Sequence, residues 1–314
     1  MPEFLTKSAA YLETLRIAER AAGSSASVLI VGETGTGKNR LARFLHNRGP
    51  RASEPFVEVA CANVPPELFE SELFGHEAGA FTDARATRVG RLEQAHRGTL
   101  FLDDLQELDI VAQPKFLRAI EERRFERVGG SSTIEVDVRM VASAREHPAR
   151  LVESGRLRED LLYRLDVIRI ELPPLRARVD DVPILAEALL REVAERHGLP
   201  EKRFAPEALE RLRAYPWPGN VRELRHVVEA SVVLSTGPEI LPSDLPEALS
   251  VGAPAFLRDA AAKGASLADV ERAYIAEVLH RVRGNKSAAA RVLGIHRKTL
   301  HEKLRGNDGA PDRE

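Results

Sequence analysis

The sequence has one cysteine, no long apolar run and no strong net charge, and each of these shortages excludes something. Because Cys61 is the only thiol in 314 residues, the chain cannot form an internal disulfide. Cys61 lies in the apolar stretch 56–64, which favours a buried structural thiol over a nucleophile. The sequence has no run of about 18 apolar residues, so it predicts no membrane helix. Residues 1–10 lack a signal-peptide pattern. We therefore expect a cytoplasmic protein with no membrane partner.

Charge is nearly balanced over the whole chain. The 46 Lys and Arg residues face 48 Asp and Glu residues, and the formal net charge of −2 does not indicate a nucleic-acid binder. The distribution is uneven, however, because residues 284–305 carry six Lys or Arg against one acidic residue, Glu302. This local excess is typical of a basic DNA-recognition segment, although a solvated helix face would give the same pattern.

Hydrophobic patterning predicts a sheet followed by helices. Short apolar runs alternate with helical patterns from Val28 to about Leu172, which indicates a parallel sheet covered on both faces. From Asp181 to Thr236 the pattern is purely helical. The predicted strands are 28–31, 56–59, 100–103, 138–143 and 167–170, and the helices between them include 40–47, 66–74 and 112–123.

A phosphate-binding motif follows the first predicted strand. Its residues are Gly32, Glu33, Thr34, Gly35, Thr36, Gly37, Lys38 and Asn39. The glycines allow backbone N–H groups to surround phosphates, Lys38 reaches the β and γ oxygens, and the next helix adds a favourable dipole. The order strand, loop, helix therefore predicts ATP binding. The general motif has Ser or Thr after the lysine to hold magnesium, where this sequence has Asn39.

A second element of a nucleotide site is the apolar strand that ends at Asp103 and Asp104. A carboxylate at the end of such a strand lies beside the magnesium ion and its waters. A helix N-cap is the alternative role for such an acid. We predict that Asp103 is the magnesium ligand and that the cofactors are ATP and Mg²⁺.

The ordered motifs of the chain resemble one known family. They are similar to the AAA+ domain of sigma-54-dependent activators, also called bacterial enhancer-binding proteins. The segment Gly284–Gly294 resembles their Fis-type helix-turn-helix, so the resemblance covers nearly the whole chain. The residues that carry the AAA+ resemblance are Gly32–Lys38, Glu72–Glu77, Gly79–Ala84, Thr99–Asp103, Arg158–Arg164 and Trp217–Leu224.

This resemblance implies an architecture and a set of partners. The expected fold is α/β, an AAA+ P-loop parallel sheet with a helical lid, plus a small all-α helix-turn-helix domain. The family forms hexameric rings with nucleotide between subunits, contacts sigma-54 RNA polymerase holoenzyme, and binds double-stranded DNA at upstream enhancer-like sites through dimeric units. Because the first strand begins at Val28, no sensory domain is expected before it. The expected bounds are an ATP-binding subdomain at 1–174, a lid at 175–236, a linker at 237–266, a helix-turn-helix at 267–306 and a tail at 307–314.

The resemblance also implies roles for individual residues. Arg158 and Arg164 match the arginine fingers, which reach the γ-phosphate of the neighbouring subunit. Arg222 matches the sensor arginine of the lid, and Asp104 stands at the position of the catalytic acid. The loop that contacts the sigma factor corresponds to Gly79, Ala80, Phe81, Thr82, Asp83 and Ala84.

The C-terminal segment predicts a DNA-binding unit. An amphipathic helix at Asp269–Val282 is followed by a short helix at Lys286–Leu293, a turn at Gly294 and a second helix at Arg297–Leu304, which would lie in the major groove. Lys298 and Lys303 are expected to meet phosphates, and Arg297 a base edge. A helical hairpin used for dimerisation is the alternative. The residues predicted to face DNA are His296, Arg297, Lys298, Thr299, His301 and Lys303.

Five departures from the family, one of them a pair of adjacent residues, cluster on the chemistry. Asp104 stands in place of Glu, and Ala60 in place of an Asn that restrains this acid. The family's Thr-Asn pair is Ala144 and Arg145, its Glu after the lysine is Asn39, and a loop glycine is Asp83. A shorter acid is expected to slow hydrolysis, since a general base must reach its water. We therefore expect an ATPase with a divergent active site and a weakened sigma contact.

Three functions remain open at this point. The favoured one is an ATP-dependent regulator that binds DNA and remodels sigma-54 polymerase, which the intact Arg158, Arg164 and Arg222 support. The second is a DNA-binding regulator with weak or no hydrolysis, acting as a repressor or accessory subunit. The departures at Asp83, Ala60 and Arg145 support this second function. An AAA+ motor on another substrate would leave the basic C-terminal segment unexplained.

Overall fold

The protein forms two compact units in the computed structural model, residues 1–250 and 251–314. The structure describes residues 4–82, 84–246, 249, 264, 266–281, 286, 290, 293, 295 and 299–300. The strands are β1 (Val28–Val31), β2 (Phe56–Ala60), β3 (Gly75–His76), β4 (Arg88–Val89), β5 (Thr99–Asp103), β6 (Arg124–Glu126), β7 (Thr133–Glu135), β8 (Arg139–Ala144), β9 (Ile168–Glu171), β10 (Arg203–Phe204) and β11 (Glu239–Ile240). The helices are α1 (Ala9–Ala22), α2 (Lys38–Asn47), α3 (Pro66–Phe74), α4 (Arg91–Gln94), α5 (Gln113–Glu122), α6 (Pro148–Glu153), α7 (Glu159–Leu165), α8 (Asp181–His197), α9 (Pro206–Ala214), α10 (Asn220–Leu234) and α11 (Leu267–Arg281).

A five-stranded parallel sheet is the centre of the first unit. Its strand order is β2-β5-β8-β1-β9, which confirms the predicted sheet. All four residues of β1 are buried, as expected of a parallel strand that is covered on both faces. One apolar cluster lies on each side of the sheet, with Leu29 in one and Ile30 in the other. The order brings the carboxyl ends of β5, β8 and β1 next to one another, where ligands bind in open parallel sheets.

The sequence missed several elements that cover or extend the sheet. Helix α1 was not predicted, although Ser8 caps it by accepting a hydrogen bond from the Tyr11 N–H. Its inner face is made mainly of alanines, which give a weak apolar pattern. Two short antiparallel pairs, β3–β4 and β6–β7, were also missed. Strands of two or three residues are too short to show an alternation of apolar and polar positions.

The lid is formed by α8, α9 and α10 with the small β10–β11 pair. Trp217 is fully buried in its core, and its indole N–H donates to the Leu212 carbonyl. Ile240, Leu245 and Leu249 are buried in the same core, although they belong to the segment 237–266 that was predicted as a linker. The structure thus extends the packed lid beyond residue 236.

The second unit contains α11, which begins with a capping box between Ser266 and Asp269. Ile275 and Val278 are buried against Ala290 and Leu300. The sequence pattern of this helix predicts an apolar face that includes Ala273 and Tyr274. Both are exposed in the structure, so the buried face is rotated from the expected one. In the part of the chain that the structure describes, no helix is both long and apolar enough to cross a membrane.

Candidate nucleotide-binding site

The phosphate loop (Gly32–Lys38) connects the end of β1 to the start of α2. The Gly32 N–H donates to the Ala144 carbonyl at 3.0 Å, which fixes the loop against the end of the neighbouring strand β8. Gly35 and Gly37 have φ of 81° and 108°, a backbone region that side chains disfavour. These glycines therefore allow a turn that other residues would strain.

Lys38 is a buried lysine whose partners are all part of this site. Its Nζ donates to the Gly32 carbonyl at 2.9 Å and lies 3.9 Å from Asp104 Oδ1. Burial lowers the pKa of Lys38, while the charges of Asp104 and Asp103 oppose this change in part. The ammonium group thus lies between the loop and the two acids, where a phosphate would meet it.

The start of α2 fits a phosphate group. Gly37 is the N-cap of the helix and provides no side-chain hydrogen bond to it, so the first N–H groups need another acceptor. A Cβ built on Gly37 would meet nothing within 4 Å, which shows open space beside the loop. Free N–H groups and the helix dipole make such a terminus suited to an anion.

Asp103 lies at the end of β5 between two hydrogen-bond donors. Ser143 donates to its Oδ1 at 2.6 Å, and the Asn39 amide donates to its Oδ2 at 3.0 Å. The same Asn39 nitrogen donates to Glu58 at 2.9 Å. In the described residues, no group of three or more His, Cys, Asp or Glu is arranged to hold a metal. A single carboxylate is compatible with magnesium, which is usually bound by few protein ligands together with waters and substrate phosphates.

Asp104 is held by Arg145 from the end of β8. The guanidinium donates to Oδ1 from Nε at 3.0 Å and to Oδ2 from Nη2 at 2.6 Å. Burial raises the pKa of Asp104, but the hydrogen bond from Arg145 and the charge of Lys38 outweigh burial and bring the pKa below its usual value. Ala60 is the strand partner of Asp103 and has only a methyl group at this point.

The lid contacts the phosphate loop directly through the start of α10. Asn220 is fully buried and donates from its amide to the Thr34 carbonyl at 3.0 Å and to Glu33 at 3.2 Å. Glu33 also pairs with Arg176, whose hydrogen bonds hold the pKa of Glu33 below its usual value against the effect of burial. A Cβ built on Gly35 would lie 3.1 Å from the Arg222 Cβ, so the predicted sensor arginine lies next to the loop.

The predicted arginine fingers belong to a different part of the first unit. Arg158 is the N-cap of α7 and donates to Asp160 at 2.8 Å, and Arg164 lies exposed near the end of the same helix. Within the described residues, the hydrogen bonds of the Arg158 side chain go to Asp160 and not to the phosphate loop. A role on a neighbouring subunit therefore stays a prediction.

The predicted sigma-contact loop closes on itself. The Gly79 N–H donates to the Ala84 carbonyl at 2.7 Å, and the Ala84 N–H donates to the Phe81 carbonyl at 2.9 Å. Phe81 is 37% exposed and packs edge-on against His76, with ring centroids 4.9 Å apart. Thr82 is exposed and Ala80 half-buried. Asp83 lies outside the described residues.

Most of the predicted DNA-facing residues also lie outside the described residues. They are His296, Arg297, Lys298, His301 and Lys303. Thr299 is described, and it is helical and half-buried next to the fully buried Leu300. The Ile295 N–H donates to the Ala290 carbonyl at 3.1 Å, and these two residues lie on opposite sides of the predicted turn at Gly294 in the sequence.

Sequence reasoning missed functional neighbours that are polar and buried. Ser143 binds Asp103 and also accepts the Asp104 N–H at 2.9 Å, and Asn220 joins lid and loop. Asn220 stands within the motif Trp217–Leu224, which could have indicated it, whereas nothing in the sequence around Ser143 marks it. Cys61 is buried and unpaired, and burial raises its pKa to about 12, which confirms a structural thiol.

Three family models together match most of the chain. The model described as the sigma-54 interaction domain matches residues 4–171. An AAA+ ATPase lid domain matches residues 176–261, and a bacterial regulatory protein domain of the Fis family matches residues 266–305.

Several curated relatives are similar to the chain over most of its length. The chain is 44% identical over 307 residues to the transcriptional regulatory protein FlbD of Caulobacter vibrioides, covering 93% of this chain and 68% of FlbD. It is 47% identical over 283 residues to ZraR of Salmonella typhimurium, covering 90% and 64%. It is 43% identical to the regulatory protein AtoC of Escherichia coli, covering 96% and 66%. The chain thus spans about two thirds of the length of these relatives.

A solved structure supports the fold. NtrX from Brucella abortus matches with a TM-score of 0.73 at 35% identity, covering 97% of this chain and 69% of NtrX. Structures of that protein in complex with ADP and in complex with ATP match with the same TM-score, at 33% and 34% identity.

Proposed function

This chain belongs to the family of sigma-54-dependent transcriptional regulators, and on that premise we propose that it binds ATP and DNA and remodels sigma-54 RNA polymerase. The observation that carries the proposal is the meeting of Lys38 with Asp103 and Asp104 at the phosphate loop, with the lid packed on the same loop. The site thus combines the phosphate loop, two acids and a lid that contacts the loop and can respond to the nucleotide. NtrX, at 34% identity, binds ATP, which supports the same ligand here.

The contacts support a role for each residue of the site. The loop N–H groups and Lys38 would hold the β- and γ-phosphates, and Arg222 would contact them from the lid. Asp103, beside Asn39, would hold Mg²⁺, which when bound neutralises charge that develops on the phosphate oxygens. Asp104 would accept the proton of the attacking water.

Assembly would complete the site. In a hexameric ring, Arg158 and Arg164 of each subunit would reach the nucleotide of the next one, and a finger of this kind raises turnover by about 10³–10⁵ elsewhere. The C-terminal units would pair and bind double-stranded DNA upstream of the promoter. Because its proposed partners are DNA and polymerase, we place the protein in the cytoplasm.

A second candidate function has its own observation. Both oxygens of Asp104 are bound by Arg145, and Ala60 offers no amide beside the acids. A chain with this site could bind ATP for assembly and hydrolyse it poorly, as a repressor or accessory subunit would.

An open-complex assay with sigma-54 polymerase separates the two candidates. With ATP we expect weak opening by the unmodified chain and none by Lys38→Ala, because Lys38 is the only lysine at the phosphate loop. Asp83→Gly should increase opening at a matched hydrolysis rate, since glycine takes a left-handed φ without penalty and the substitution removes a negative charge that would face DNA phosphate.

The outcomes distinguish the candidates as follows. ATP binding without opening in either the unmodified chain or Asp83→Gly would favour the repressor or accessory function. An unmodified chain that binds no ATP, or a Lys38→Ala variant with unchanged ATP affinity, would contradict the nucleotide site itself.

A further inference from the structure

The ion pair between Asp104 and Arg145 engages both oxygens of the proposed catalytic acid. Nε and Nη2 of the guanidinium each donate to a different carboxylate oxygen, at 3.0 and 2.6 Å. This two-point geometry is the strongest and most directional form of an arginine–carboxylate contact. Each oxygen keeps a lone pair, but the guanidinium fixes the direction in which the carboxylate points and so restricts how it can meet a water.

Both partners are also fixed through their backbones. Asp104 has φ of 62°, in the left-handed region, and its N–H donates to Ser143 Oγ at 2.9 Å. The Arg145 N–H donates to Gln106 Oε1 at 3.3 Å. The carboxylate and the guanidinium therefore face each other from two neighbouring strand ends, β5 and β8, and the pair does not depend on a chance arrangement of two flexible side chains.

The opposite side of the acids carries no comparable group. Ala60, at the end of β2, pairs with Asp103 across the strands, and its side chain has no hydrogen-bonding atom. Asn39 reaches the acids from α2, but its amide donates to Asp103 and Glu58. The other cation near Asp104 is Lys38, whose Nζ lies 3.9 Å from Oδ1. Arg145 thus provides the direct two-point restraint on this carboxylate.

We propose that Arg145 is a positioning residue that keeps Asp104 in a paired state and so limits how often the acid is available to the water that attacks a bound nucleoside triphosphate. The proposal rests on the proposed ATP site and goes beyond it, because it assigns the restraint of the acid to a residue of β8. Its consequence is that hydrolysis is held back by an interaction within the subunit.

The first test measures ATP hydrolysis by Arg145→Gln, which keeps a polar but shorter side chain and removes both the charge and the two-point contact. Because an ion pair between partly exposed groups is weak, we expect kcat to rise by about fivefold, with KM for ATP changed by less than about twofold. Arg91→Gln is the matched control. Arg91 pairs with Glu72 at 37% and 18% side-chain exposure, against 41% and 17% for Arg145 and Asp104. This control should leave kcat unchanged.

A double-mutant cycle shows whether Arg145 acts through Asp104. In an Asp104→Asn background, Arg145→Gln should have no further effect on the residual kcat, since the interaction is already removed. Without nucleotide, each single substitution should lower Tm. The Tm of the double variant should be no lower than that of the less stable single variant. Additive losses of Tm would show that the two side chains do not act as a pair.

Failure of this inference can be told from failure of the proposed function by ATP binding. A chain that binds ATP while Arg145→Gln leaves kcat unchanged or lowers it overturns the inference alone. A fall in kcat that persists in the Asp104→Asn background would show that Arg145 acts on the nucleotide directly. A chain that binds no ATP overturns the proposed function and the inference with it.

Discussion

Ser143 connects the two acids of the candidate site. Its hydroxyl donates to Asp103 Oδ1 at 2.6 Å and accepts the backbone N–H of Asp104 at 2.9 Å, and the side chain is fully buried in β8. Groups that orient a metal-binding carboxylate in this way tune metal affinity as well as geometry. Ser143 is thus a positioning residue for both acids.

Substitution of Ser143 by alanine should weaken magnesium-dependent hydrolysis. We expect a loss of about 10- to 100-fold in kcat, or in affinity for Mg²⁺, because Asp103 loses its donor and the Asp104 N–H loses its acceptor. The measurement is a magnesium titration of ATP hydrolysis, with affinity for ADP in the absence of magnesium as a check on the fold. Ser231→Ala, which removes a buried hydroxyl bonded to Val227 in the lid, is the control. Equal losses in both variants would contradict a specific role for Ser143.

At the scale of elements, the lid and the phosphate loop share a small polar interface. The Val221 N–H donates to the Gly35 carbonyl at 3.0 Å, and Asn220 binds the Thr34 carbonyl while it accepts the Leu175 N–H at 2.7 Å. A Cβ on Gly35 would overlap the Gly219 carbonyl oxygen, so the close approach requires glycine. We therefore expect a displacement of the loop by nucleotide to move the start of α10.

Removal of the Asn220 side chain should loosen this interface. Asn220→Gly is expected to lower the free energy of unfolding of the first unit by about 2 kcal/mol, because buried groups on three partners lose their hydrogen bonds. Asn220→Ala should cost about 1 kcal/mol more, since the φ of Asn220 is 52° and a Cβ is disfavoured there. Urea unfolding gives both values, and binding of a fluorescent ADP analogue should weaken in parallel. Unchanged unfolding in both variants would show that these bonds contribute nothing.

At the scale of the whole molecule, the chain combines a nucleotide-binding unit with a small C-terminal unit. The second unit has its own buried cluster of Ile275, Val278, Ala290 and Leu300. The Fis-family match over residues 266–305 coincides with the basic segment 284–305. The overall charge of −2 therefore conceals a local excess of positive residues in the sequence, which suits DNA phosphate.

DNA binding by the whole chain should weaken steeply with salt, because each phosphate contact releases a counterion. With Lys298→Ala and Lys303→Ala together, the slope of log affinity against log salt concentration should fall by about 2. Duplex DNA selected for binding to the chain is the probe, and Lys7→Ala with Lys115→Ala removes the same charge from the first unit as a control. An unchanged slope in the Lys298 and Lys303 variant would move the DNA surface elsewhere.

Local pattern was sufficient to predict the central strands and the phosphate loop. The predicted strands 28–31 and 100–103 agree with β1 and β5 within one residue at each end, because buried parallel strands are continuous apolar runs. The loop Gly32–Lys38 was predicted because its residues are contiguous. The arginine fingers, the domain bounds and the sigma-contact loop stay predictions that depend on the family resemblance.

The tertiary structure decided which distant side chains meet at that loop. Asn220 follows Thr34 by 186 residues, and Arg145 follows Asp104 by 41, so no local pattern connects them. The sequence marked Arg145 only as a departure from the family, and the adjacency of β5 and β8 in the sheet makes it the partner of Asp104. The sequence by itself determined the parts of the site whose residues are contiguous in the chain, because residue order and apolar pattern specify them. Strand order and lid packing decided the restraint on the acid, because only folding brings those side chains within hydrogen-bond distance.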